Sequence, residues 1–469
     1  MKTDTIAAIA TGMSDSGISI IRISGDAAIE VVDKIFYANK GKKKLQDVPS
    51  HTVHYGHIID PSTENNLSIV DEVMVSVFRN PKSYTTEDTV EINCHGGSLM
   101  TNHILELVLK AGARLAQPGE FTKRAFLNGR IDLSKAEAVI DIIHSKNEYA
   151  LKNSVRQLKG SVSEAVRRLR DEILYEIAFI ESALDDPEHI SLDGYTQKLY
   201  DKNEDILNRI KSLIDSVDNG RLVKDGIHTV IVGKPNAGKS SLLNLLAGEE
   251  RAIVTEIAGT TRDILEENIN MQGISLNVID TAGIRETEDV VERIGVEKAR
   301  KYAQDADLII YVADSSVPLD ENDKSIMRII GDKKCIALLN KTDLEQVVTE
   351  KILFDSLRDH ALNEIRIIKT STKENVGINE FEKAVKDLFF KGEIGTGDQV
   401  CITNLRHKEA LMDAYESLIQ VKNSLINEMP EDFYSIDLMS AYASLGTIIG
   451  EEVGEDLVNE IFSKFCMGK

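Results

Sequence analysis

The sequence predicts a multidomain chain of α+β and α/β class, with an α/β domain inserted into a discontinuous α-helical domain. Residues 1–118 combine strand-like runs with two helical stretches, which is typical of an α+β domain. Residues 221–390 contain short apolar runs that each end in a polar motif, as in the strands of an α/β domain. Residues 119–220 and 391–469 show long helical periodicity on both sides of that segment. We therefore expect one helical domain in two parts, interrupted by an insertion with close-lying ends.

Length and composition are consistent with several folded domains. A chain of 469 residues exceeds the usual size of one domain, so about two to four are expected. Hydrophobic residues make up 42% of the chain and charged residues 28%, as in ordinary soluble proteins. The formal net charge is −22 and the pI is near 5.0, which argues against a broadly basic nucleic-acid surface. The net charge does not exclude nucleic-acid binding through a local basic patch or through a partner that supplies positive charge.

The cysteines and the absence of long apolar runs bear on location. Cys94, Cys335, Cys401 and Cys466 are widely separated and form no C-x-x-C or Cys/His metal spacing. We expect reduced thiols, as in cytoplasmic proteins. The N-terminus does not read as a signal peptide, and no apolar run is long enough to span a bilayer. The expectation is a cytoplasmic protein that does not enter a membrane.

The N-terminal domain should be built from strands followed by packed helices. After the strand that ends near Asn93, His95-Gly96-Gly97 predicts a tight turn into a helix, with His95 as a structural hydrogen-bonding residue rather than a ligand. The predicted strands are Thr5–Ala10, Ile18–Ile23, His51–Ile59, Glu72–Phe78 and Asp88–Asn93, and the predicted helices are Ala27–Phe36 and Ser98–Ala111.

The helical domain should begin at Gly119. Ser134 to Glu137 form a capping-box pattern that leads into a long helix, Lys135–Val155 and beyond. Three arginines at 167, 168 and 170 are followed by acidic residues, so a solvated helix face is favoured over a nucleic-acid contact. Asn219-Gly220 and Asp225-Gly226 mark the predicted boundary before the inserted domain. The other predicted helices are Val162–Ala183, Tyr200–Val217, Asn404–Ile426 and Ile436–Ile449.

The inserted domain opens with a phosphate-binding loop. Gly233 to Ser240 match G-x-x-x-x-G-K-[ST], after the strand-like run Thr229–Val232 and before a helix Ser240–Ala247 that Gly248 should end. Backbone N–H groups of such a loop surround a phosphate at a helix N-terminus. Lys239 is expected on the β- and γ-phosphates and the Ser240 hydroxyl on Mg²⁺. The predicted phosphate contacts are Asn236, Ala237, Gly238, Lys239, Ser240 and Ser241.

Three further motifs narrow the ligand from any nucleoside triphosphate to GTP. Asp280, Thr281, Ala282 and Gly283 follow the apolar run Ile274–Ile279, where a water-mediated Mg²⁺ contact belongs. A second set of motifs follows two further strand-like runs and should contact the base. Asp343 can accept from two donors of guanine that adenine lacks, so a buried carboxylate there would reject adenine. The predicted GTP-binding residues of these two motifs are Asn340, Lys341, Asp343, Ser371, Thr372 and Lys373.

Besides these motifs, short runs spread over the whole chain resemble those of a known family. They are Asp4–Ala7, Ile21–Gly25, Glu91–Gly97, Pro118–Thr122, Arg124–Asn128, Asn236, Thr255–Asp263 and the terminal Cys466–Lys469. With them the chain resembles the MnmE (TrmE) family of bacterial tRNA-modification GTPases, which belongs to the potassium-dependent, G-domain-dimerising Era/TrmE-like proteins. The resemblance implies an α+β folate-binding-like N-terminal domain and a Ras-like G domain inserted into the helical domain.

The resemblance also implies a function and partners. The family modifies carbon 5 of the wobble uridine, position 34, of certain tRNAs to an aminomethyl-type group. It does so with an FAD-dependent partner, MnmG (GidA), in a heterotetramer or larger assembly. It uses a one-carbon folate, 5-formyl- or methylene-tetrahydrofolate. The family forms homodimers through the N-terminal domains, and its G domains approach each other in a GTP- and K⁺-dependent way.

Residue roles follow from the resemblance position by position. Arg22, Glu91, Arg130 and Lys469 should lie near the folate. Arg22 or Lys469 would pair the glutamate tail, and Glu91 would accept hydrogen bonds from the amino-pyrimidine ring. Cys466 should lie near the one-carbon site, with its role as nucleophile, acid or structural residue left open.

The hydrolytic machinery should differ from that of Ras. Residue 284 is Ile, so the glutamine that positions water after the D-x-x-G motif is absent. The resemblance implies K⁺ bound by Asn236, Thr255, Ile257 and Thr260, with Thr261 as second Mg²⁺ ligand and Glu286 orienting water. Arg262 and Arg285 remain alternatives as charge stabilisers. The GTP-binding segment is completed by Glu256, Ala258 and Gly259.

A second class of function stays open on the residues alone. The chain could be a regulatory or ribosome-assembly GTPase switch without a modification role. A ribosome factor would be expected to carry a basic RNA-binding domain, which the net charge of −22 does not favour. The terminal Cys-x-Gly-Lys and the folate-type N-terminal domain favour the modifying enzyme.

Overall fold

The computed structural model describes the chain in two compact units. The first consists of Met1–Ile140, Gln157–Pro187 and Ser435–Lys469, and the second of Asp141–Arg156 and Glu188–Tyr434. Domain limits at residues 118, 220 and 390 remain a prediction. The described residues are 4–13, 15–38, 44–62, 68–186, 188–189, 194–251, 266–271, 273–279, 302–331, 333–358, 365–390 and 400–468.

The first unit contains a mixed sheet. Among its described residues, seven strands lie in the spatial order β3-β4-β5-β6-β2-β1-β7, antiparallel except for the parallel pair β1 and β7. The predicted strands are present with shifted ends. Their bounds are β1 Ile6–Ile9, β2 Ile18–Ser24, β3 Phe36–Tyr37, β4 Thr52–Ile59, β5 Ile69–Phe78, β6 Thr89–His95 and β7 Arg114–Leu115.

One face of this sheet is buried under two helices. Along β5, Val73, Val75 and Val77 point inward, whereas Glu72 and Met74 are exposed, as the period of two requires. Helices α1 (Ala28–Asp33) and α2 (Ser98–Lys110) pack on the inward side and share its core cluster. The predicted helix Ala27–Phe36 is therefore too long, because its last residue instead pairs with β4 as the start of β3.

The long helix predicted from Lys135 is two helices, α4 and α5, separated at Ser145–Asn147. The Asn147 side chain accepts from the Ala150 N–H at 2.7 Å and so caps the second helix. The predicted cap at Ser134 is wrong: Asp132 accepts from the Lys135 N–H at 3.0 Å. The helical bounds are α3 Glu120–Leu127, α4 Leu133–His144, α5 Glu148–Lys159, α6 Ser161–Asp185, α13 Glu431–Ile449 and α14 Glu455–Ser463, and most of α5 belongs to the second unit.

In the second unit, α7 spans Tyr195–Asp225. It continues through Asn219-Gly220, the pair predicted to mark the boundary before the inserted domain. Gly220 has a packing role inside the helix, because a Cβ there would lie 2.1 Å from the Ile402 carbonyl oxygen. The helix ends only at Gly226, which has φ of 86°.

A second sheet carries the inserted domain. Among the described residues, its six strands lie in the order β13-β12-β11-β8-β10-β9, and only β9 runs antiparallel to its neighbour. The strand-like runs named from the sequence are confirmed as strands, whereas β9 and β11 are additional. The bounds are β8 Ile227–Val232, β9 Glu266–Met271, β10 Ile274–Ile279, β11 Leu308–Asp314, β12 Cys335–Asn340 and β13 Ile365–Lys369.

Helices cover both faces of this sheet, so its central strands are buried and strongly apolar. Helices α8 and α11 share a core with one face, and α9 and α10 with the other. The α8 backbone leaves helical geometry at Gly248, as predicted. The bounds are α8 Lys239–Arg251, α9 Glu321–Ile330, α10 Glu350–Arg358, α11 Ile378–Phe390 and α12 Leu405–Ile426.

The α+β unit, the long helices and the inserted α/β sheet confirm the predicted fold class. Within the described residues, no helix combines the length and apolarity that a membrane crossing requires.

Candidate functional sites

The phosphate loop lies between β8 and α8, and two of its glycines are required by close packing. A Cβ at Gly233 would lie 2.4 Å from the Val312 carbonyl oxygen on β11. Gly238 has φ of 104°, and a Cβ there would lie 2.2 Å from Asn340 Nδ2. A larger residue at either position would displace the loop from these neighbours, so both positions require glycine.

Lys239 lies folded over this loop. Its Nζ donates to the carbonyl oxygens of Gly233 and Lys234, both at 2.8 Å. Asn236 has φ of 64°, a left-handed conformation that asparagine tolerates, and its side chain is exposed beside the loop. In the first turn of α8, Ser240 and Ser241 are exposed.

Asn340 joins the phosphate loop to the last motif. It is buried, and its Nδ2 donates to the Ala237 carbonyl oxygen at 2.9 Å. Its Oδ1 accepts from the Thr372 N–H at 3.2 Å and from the Thr370 hydroxyl at 3.3 Å. Both ends of the amide therefore hold the loops of the site together.

Asp343 is oriented by Ser371. The Ser371 hydroxyl donates to Asp343 Oδ1 at 2.7 Å, and this hydrogen bond holds the pKa of the carboxyl below its usual value. Lys341 lies on the same loop, and its Nζ is 2.5 Å from Asp314 Oδ2 at the end of β11. Burial opposes ionisation of Asp314, but hydrogen bonds from Lys341 and Ser316 lower its pKa. Asp343 is therefore ionised, with one oxygen bonded to Ser371, and can accept hydrogen bonds from a purine base.

These described motifs all follow the carboxyl ends of parallel strands. The phosphate loop follows β8, the Asn340 motif lies at the end of β12 and the Ser371 motif follows β13. Such an edge is where α/β sheets bind ligands. The predicted residues Thr255–Thr261, Asp280–Gly283 and Glu286, with Arg262 and Arg285, lie outside the described residues.

A second cluster lies on the outward face of the sheet in the first unit. Arg22 on β2 and Glu91 on β6 are direct cross-strand partners. Their side chains form an ion pair of 2.8 Å between Arg22 Nε and Glu91 Oε1. Arg22 also donates to the Gly468 carbonyl oxygen at 3.0 Å. Strand register therefore brings together two of the predicted residues, and the chain terminus reaches the same arginine.

Tyr84 lies between two of the predicted cations. The Arg22 guanidinium carbon lies 5.4 Å from the centre of its ring, and that of Arg130 lies 4.9 Å away. Arg130 also donates to the Tyr84 carbonyl oxygen at 2.9 Å. Phe121 supplies a second ring, 5.8 Å from Arg22. The cluster thus brings guanidinium groups, one carboxylate and aromatic rings together in one place.

The terminal segment fits closely against the sheet. Gly468 has φ of 88°, and a Cβ there would lie 2.3 Å from the Ile9 carbonyl oxygen, so only glycine allows this approach. The Cys466 carbonyl oxygen accepts from the Gly119 N–H at 3.3 Å, whereas the Cys466 side chain is exposed. Lys469 lies outside the described residues, but its neighbour Gly468 contacts Arg22.

Two members of these sites were missed in the sequence. Tyr84 belongs to no recognisable motif, and only the fold brings it to Arg22. Asp314 ends β11, a strand that was not assigned from the sequence; its position at the end of an apolar run was the available signal. The expectation for His95 is confirmed as a structural hydrogen bond, with Nδ1 2.6 Å from Asp71 Oδ1.

Thiol reactivity should single out Cys466. Burial raises the pKa of Cys94 and of Cys401 to about 11 and that of Cys335 to about 12, whereas the Cys466 side chain is exposed. At about pH 8, roughly one part in a thousand of a thiol with a pKa of about 11 is thiolate, the reactive form, and about ten times less when the pKa is about 12. We expect one fast-reacting thiol in the native protein on titration with an aromatic disulfide. That phase should vanish in Cys466→Ser and persist in Cys401→Ser; persistence in Cys466→Ser would contradict the assignment.

Two family models together match most of the chain. A model described as the GTP-binding protein TrmE N-terminus matches residues 5–130. A model described as the MnmE helical domain matches residues 133–466, more than half of the chain. The chain belongs to the MnmE family. The resemblance inferred from the sequence is thereby confirmed.

Full-length relatives of the MnmE family are similar from end to end. A protein of Lachnoclostridium phytofermentans named tRNA modification GTPase MnmE is 58% identical over 469 residues, covering 100% of both chains. One of Acetivibrio thermocellus with the same name is 48% identical over 468 residues, again covering 100% of both.

Solved structures resemble part of the chain. The G domain of the T. maritima FeoB iron transporter is 28% identical, over 34% of this chain and 98% of that one, with a TM-score of 0.27. Era from Aquifex aeolicus, bound to GDP and AlF4⁻, is 28% identical over 41% of this chain and 67% of that one, also with a TM-score of 0.27.

Proposed function

We propose that this chain is a GTPase whose hydrolysis of GTP serves the modification of carbon 5 of the wobble uridine in certain tRNAs. The observation that carries the proposal is the presence, in one MnmE-family chain, of an ionised guanine-type Asp343 and of the Arg22–Glu91 cluster at the C-terminal segment. The first suits GTP and the second suits a folate. The curated relatives carry the name tRNA modification GTPase, which supports the same assignment.

At the nucleotide site, each described residue has a defined task. Lys239 would leave the two carbonyl oxygens that hold it and neutralise the β- and γ-phosphates. The Ser240 hydroxyl, exposed in the first turn of α8, suits Mg²⁺ together with Thr261. Mg²⁺ supplies charge neutralisation at the phosphates when bound. Asp343 would accept from guanine, oriented by Ser371.

Water activation is assigned to residues around the loop. Asn236 presents an amide beside the phosphates, and with Thr255, Ile257 and Thr260 it would hold K⁺. A monovalent cation there compensates charge that grows between the β- and γ-phosphates. Glu286 would orient the attacking water, since Ile stands at position 284 in place of a glutamine. The segment Glu256, Ala258 and Gly259 would border the nucleotide.

The first unit would bind the one-carbon folate. Glu91 suits the amino-pyrimidine donors, and Arg22, Arg130 and Lys469 suit the acidic tail. Tyr84 would help to position these two arginines, since both guanidinium groups lie over its ring. We place Cys466 near the one-carbon group, since its backbone is fixed by Gly119. The partners in this proposal are tRNA and the FAD-dependent MnmG, with 5-formyl- or methylene-tetrahydrofolate as the carbon source.

A homodimer is proposed through the outward face of the first sheet. Away from the Arg22–Glu91 pair, this face exposes Val53, Tyr55 and Met74, with 62%, 54% and 47% of their surface accessible. Tyr55 and Met74 are cross-strand partners, so the apolar residues form one patch. Contiguous apolar patches of this kind mark interaction surfaces.

The hydrolytic mechanism is tested by exchanging the monovalent cation. We expect GTP hydrolysis to be on the order of 10²-fold faster in KCl than in NaCl of equal ionic strength, because K⁺ would stabilise transition-state charge. Asn236→Ala should lose this difference. Phosphate release measured under saturating GTP is the readout.

The matched control is Asn379→Ala, an exposed asparagine on α11, which should keep the full K⁺ effect. Equal rates in both salts for the wild type would refute the cation role and point to an arginine donor instead. A K⁺ effect that survives in Asn236→Ala would remove that residue from the cation site.

A further inference from the structure

Lys234 is the second residue of the phosphate loop, and its side chain forms a partly buried ion pair. Its Nζ lies 2.7 Å from Asp323 Oδ2 and 3.1 Å from Asp320 Oδ2. The Asp323 side chain is 1% exposed and that of Lys234 is 15% exposed. A charge buried to that degree is costly without a partner, so the pair is strongly held once formed. Nothing in the predicted GTP site uses Lys234.

The Asp323 carboxylate that pairs with Lys234 also accepts two further hydrogen bonds. The buried Tyr311 hydroxyl on β11 donates to Asp323 Oδ1 at 2.9 Å, and the Asp320 N–H donates to Asp323 Oδ2 at 3.0 Å. Asp320 and Asp323 form the capping box of α9. Burial opposes the charge of Lys234, but the hydrogen bond to Asp323 raises its pKa. The ammonium is therefore anchored to a central strand and to a helix N-terminus, both rigid parts of the domain.

The Lys234 backbone also contacts Lys239, the lysine expected on the β- and γ-phosphates. The Lys234 carbonyl oxygen accepts from Lys239 Nζ at 2.8 Å and from the Ala237 N–H at 3.3 Å. Pro235 follows, and its ring fixes φ and removes a donor. Lys234 thus contacts Asp323 through its side chain and the Lys239 ammonium through its carbonyl oxygen.

We infer that Lys234 is a positioning residue of the nucleotide site, which holds the phosphate loop, through Asp323 and Tyr311, in the shape that receives the β- and γ-phosphates of GTP. It does not touch the nucleotide. It lowers the cost of ordering the loop on binding, as preorganisation does generally. The inference rests on the proposed GTP site and assigns it a residue beyond those predicted.

The test compares Lys234→Met with Lys234→Arg. Methionine keeps much of the stem and removes the charge, whereas arginine restores a donor to Asp323. For Lys234→Met we expect the KM for GTP and the Kd for GDP to rise about tenfold, with kcat within about twofold, because uniform binding is lost. Lys234→Arg should stay within about threefold of the wild type in both constants.

Two further variants separate positioning from general stability. Asp323→Asn should also raise the KM for GTP and the Kd for GDP. The double variant Lys234→Met with Asp323→Asn should bind no more weakly than the weaker-binding of the two single variants, because all three lack the same interaction. Arg366→Met breaks an exposed ion pair with Asp387 in the same domain and should leave all constants unchanged. Melting temperatures are recorded for every variant.

The outcomes are distinct. A lower melting temperature in Lys234→Met with unchanged KM and Kd would overturn the inference and leave the pair a structural one. Fully additive effects in the double variant, or failure of arginine to restore binding, would overturn it as well. A wild-type chain that neither binds nor hydrolyses GTP would instead refute the proposed function.

Discussion

Replacing Asp343 with asparagine is expected to weaken GTP binding by about 10² to 10⁴-fold, from the loss of two charge-assisted hydrogen bonds of about 1.5–3 kcal/mol each. The Ser371 hydrogen bond lowers the pKa of Asp343, so the wild-type side chain is ionised at neutral pH and accepts from both guanine donors. An amide accepts through one atom only. Titration with a fluorescent GTP analogue measures the change.

Xanthosine triphosphate provides a second arm of this experiment. Xanthine carries a carbonyl where guanine carries its amino group, so the amide introduced by Asp343→Asn would donate where the aspartate accepted. We expect this variant to bind the xanthine nucleotide better than GTP. Asp387→Asn, which alters an exposed carboxylate on α11, is the control. Unchanged GTP affinity in Asp343→Asn would contradict the base-reading role.

Glu91→Gln is expected to weaken binding of 5-formyl-tetrahydrofolate by about 10- to 10²-fold while GTP hydrolysis stays unchanged. The carboxylate lies 2.8 Å from Arg22 and presents charged acceptors to an amino-pyrimidine. A charge-assisted hydrogen bond is worth about 1.5–3 kcal/mol, which corresponds to the expected loss. Calorimetric titration of the full chain with the folate gives the dissociation constant.

The control for this variant lies on the same face of the same sheet. Glu72 on β5 is exposed and contacts Tyr55, away from Arg22. Glu72→Gln should bind the folate as the wild type does. Equal weakening in both variants would show a general effect of charge on this face rather than a site at Glu91.

The nucleotide domain was largely predictable because its signals are short and local. The phosphate loop, β8 and Gly248 follow from adjacent residues, and the motif after β12 follows from a six-residue strand. The role of Asn340 was not predictable in the same way. Its amide bonds to Ala237 and Thr372, which are far apart in sequence.

Other features depend on contacts that no local pattern encodes. Gly220 suggests a helix end by residue type, but it lies inside α7 because it approaches Ile402 closely. The break between α4 and α5 arises because Asn147 caps a new helix within a continuous helical pattern. Tyr84 joins Arg22 and Arg130 only through the fold. Family-wide motifs located Arg22 and Glu91, and strand register explains why they meet.

The wobble-nucleoside content of tRNA tests the proposed function most directly. It is measured in cells whose sole copy of this chain is wild type, Asp343→Asn, Glu91→Gln or Glu72→Gln. Nucleosides at position 34 are quantified by liquid chromatography and mass spectrometry. We expect the modified uridine to be lost in Asp343→Asn and Glu91→Gln and retained in Glu72→Gln. Normal modification in the first two variants would contradict the proposed function and favour a regulatory GTPase without a modifying role.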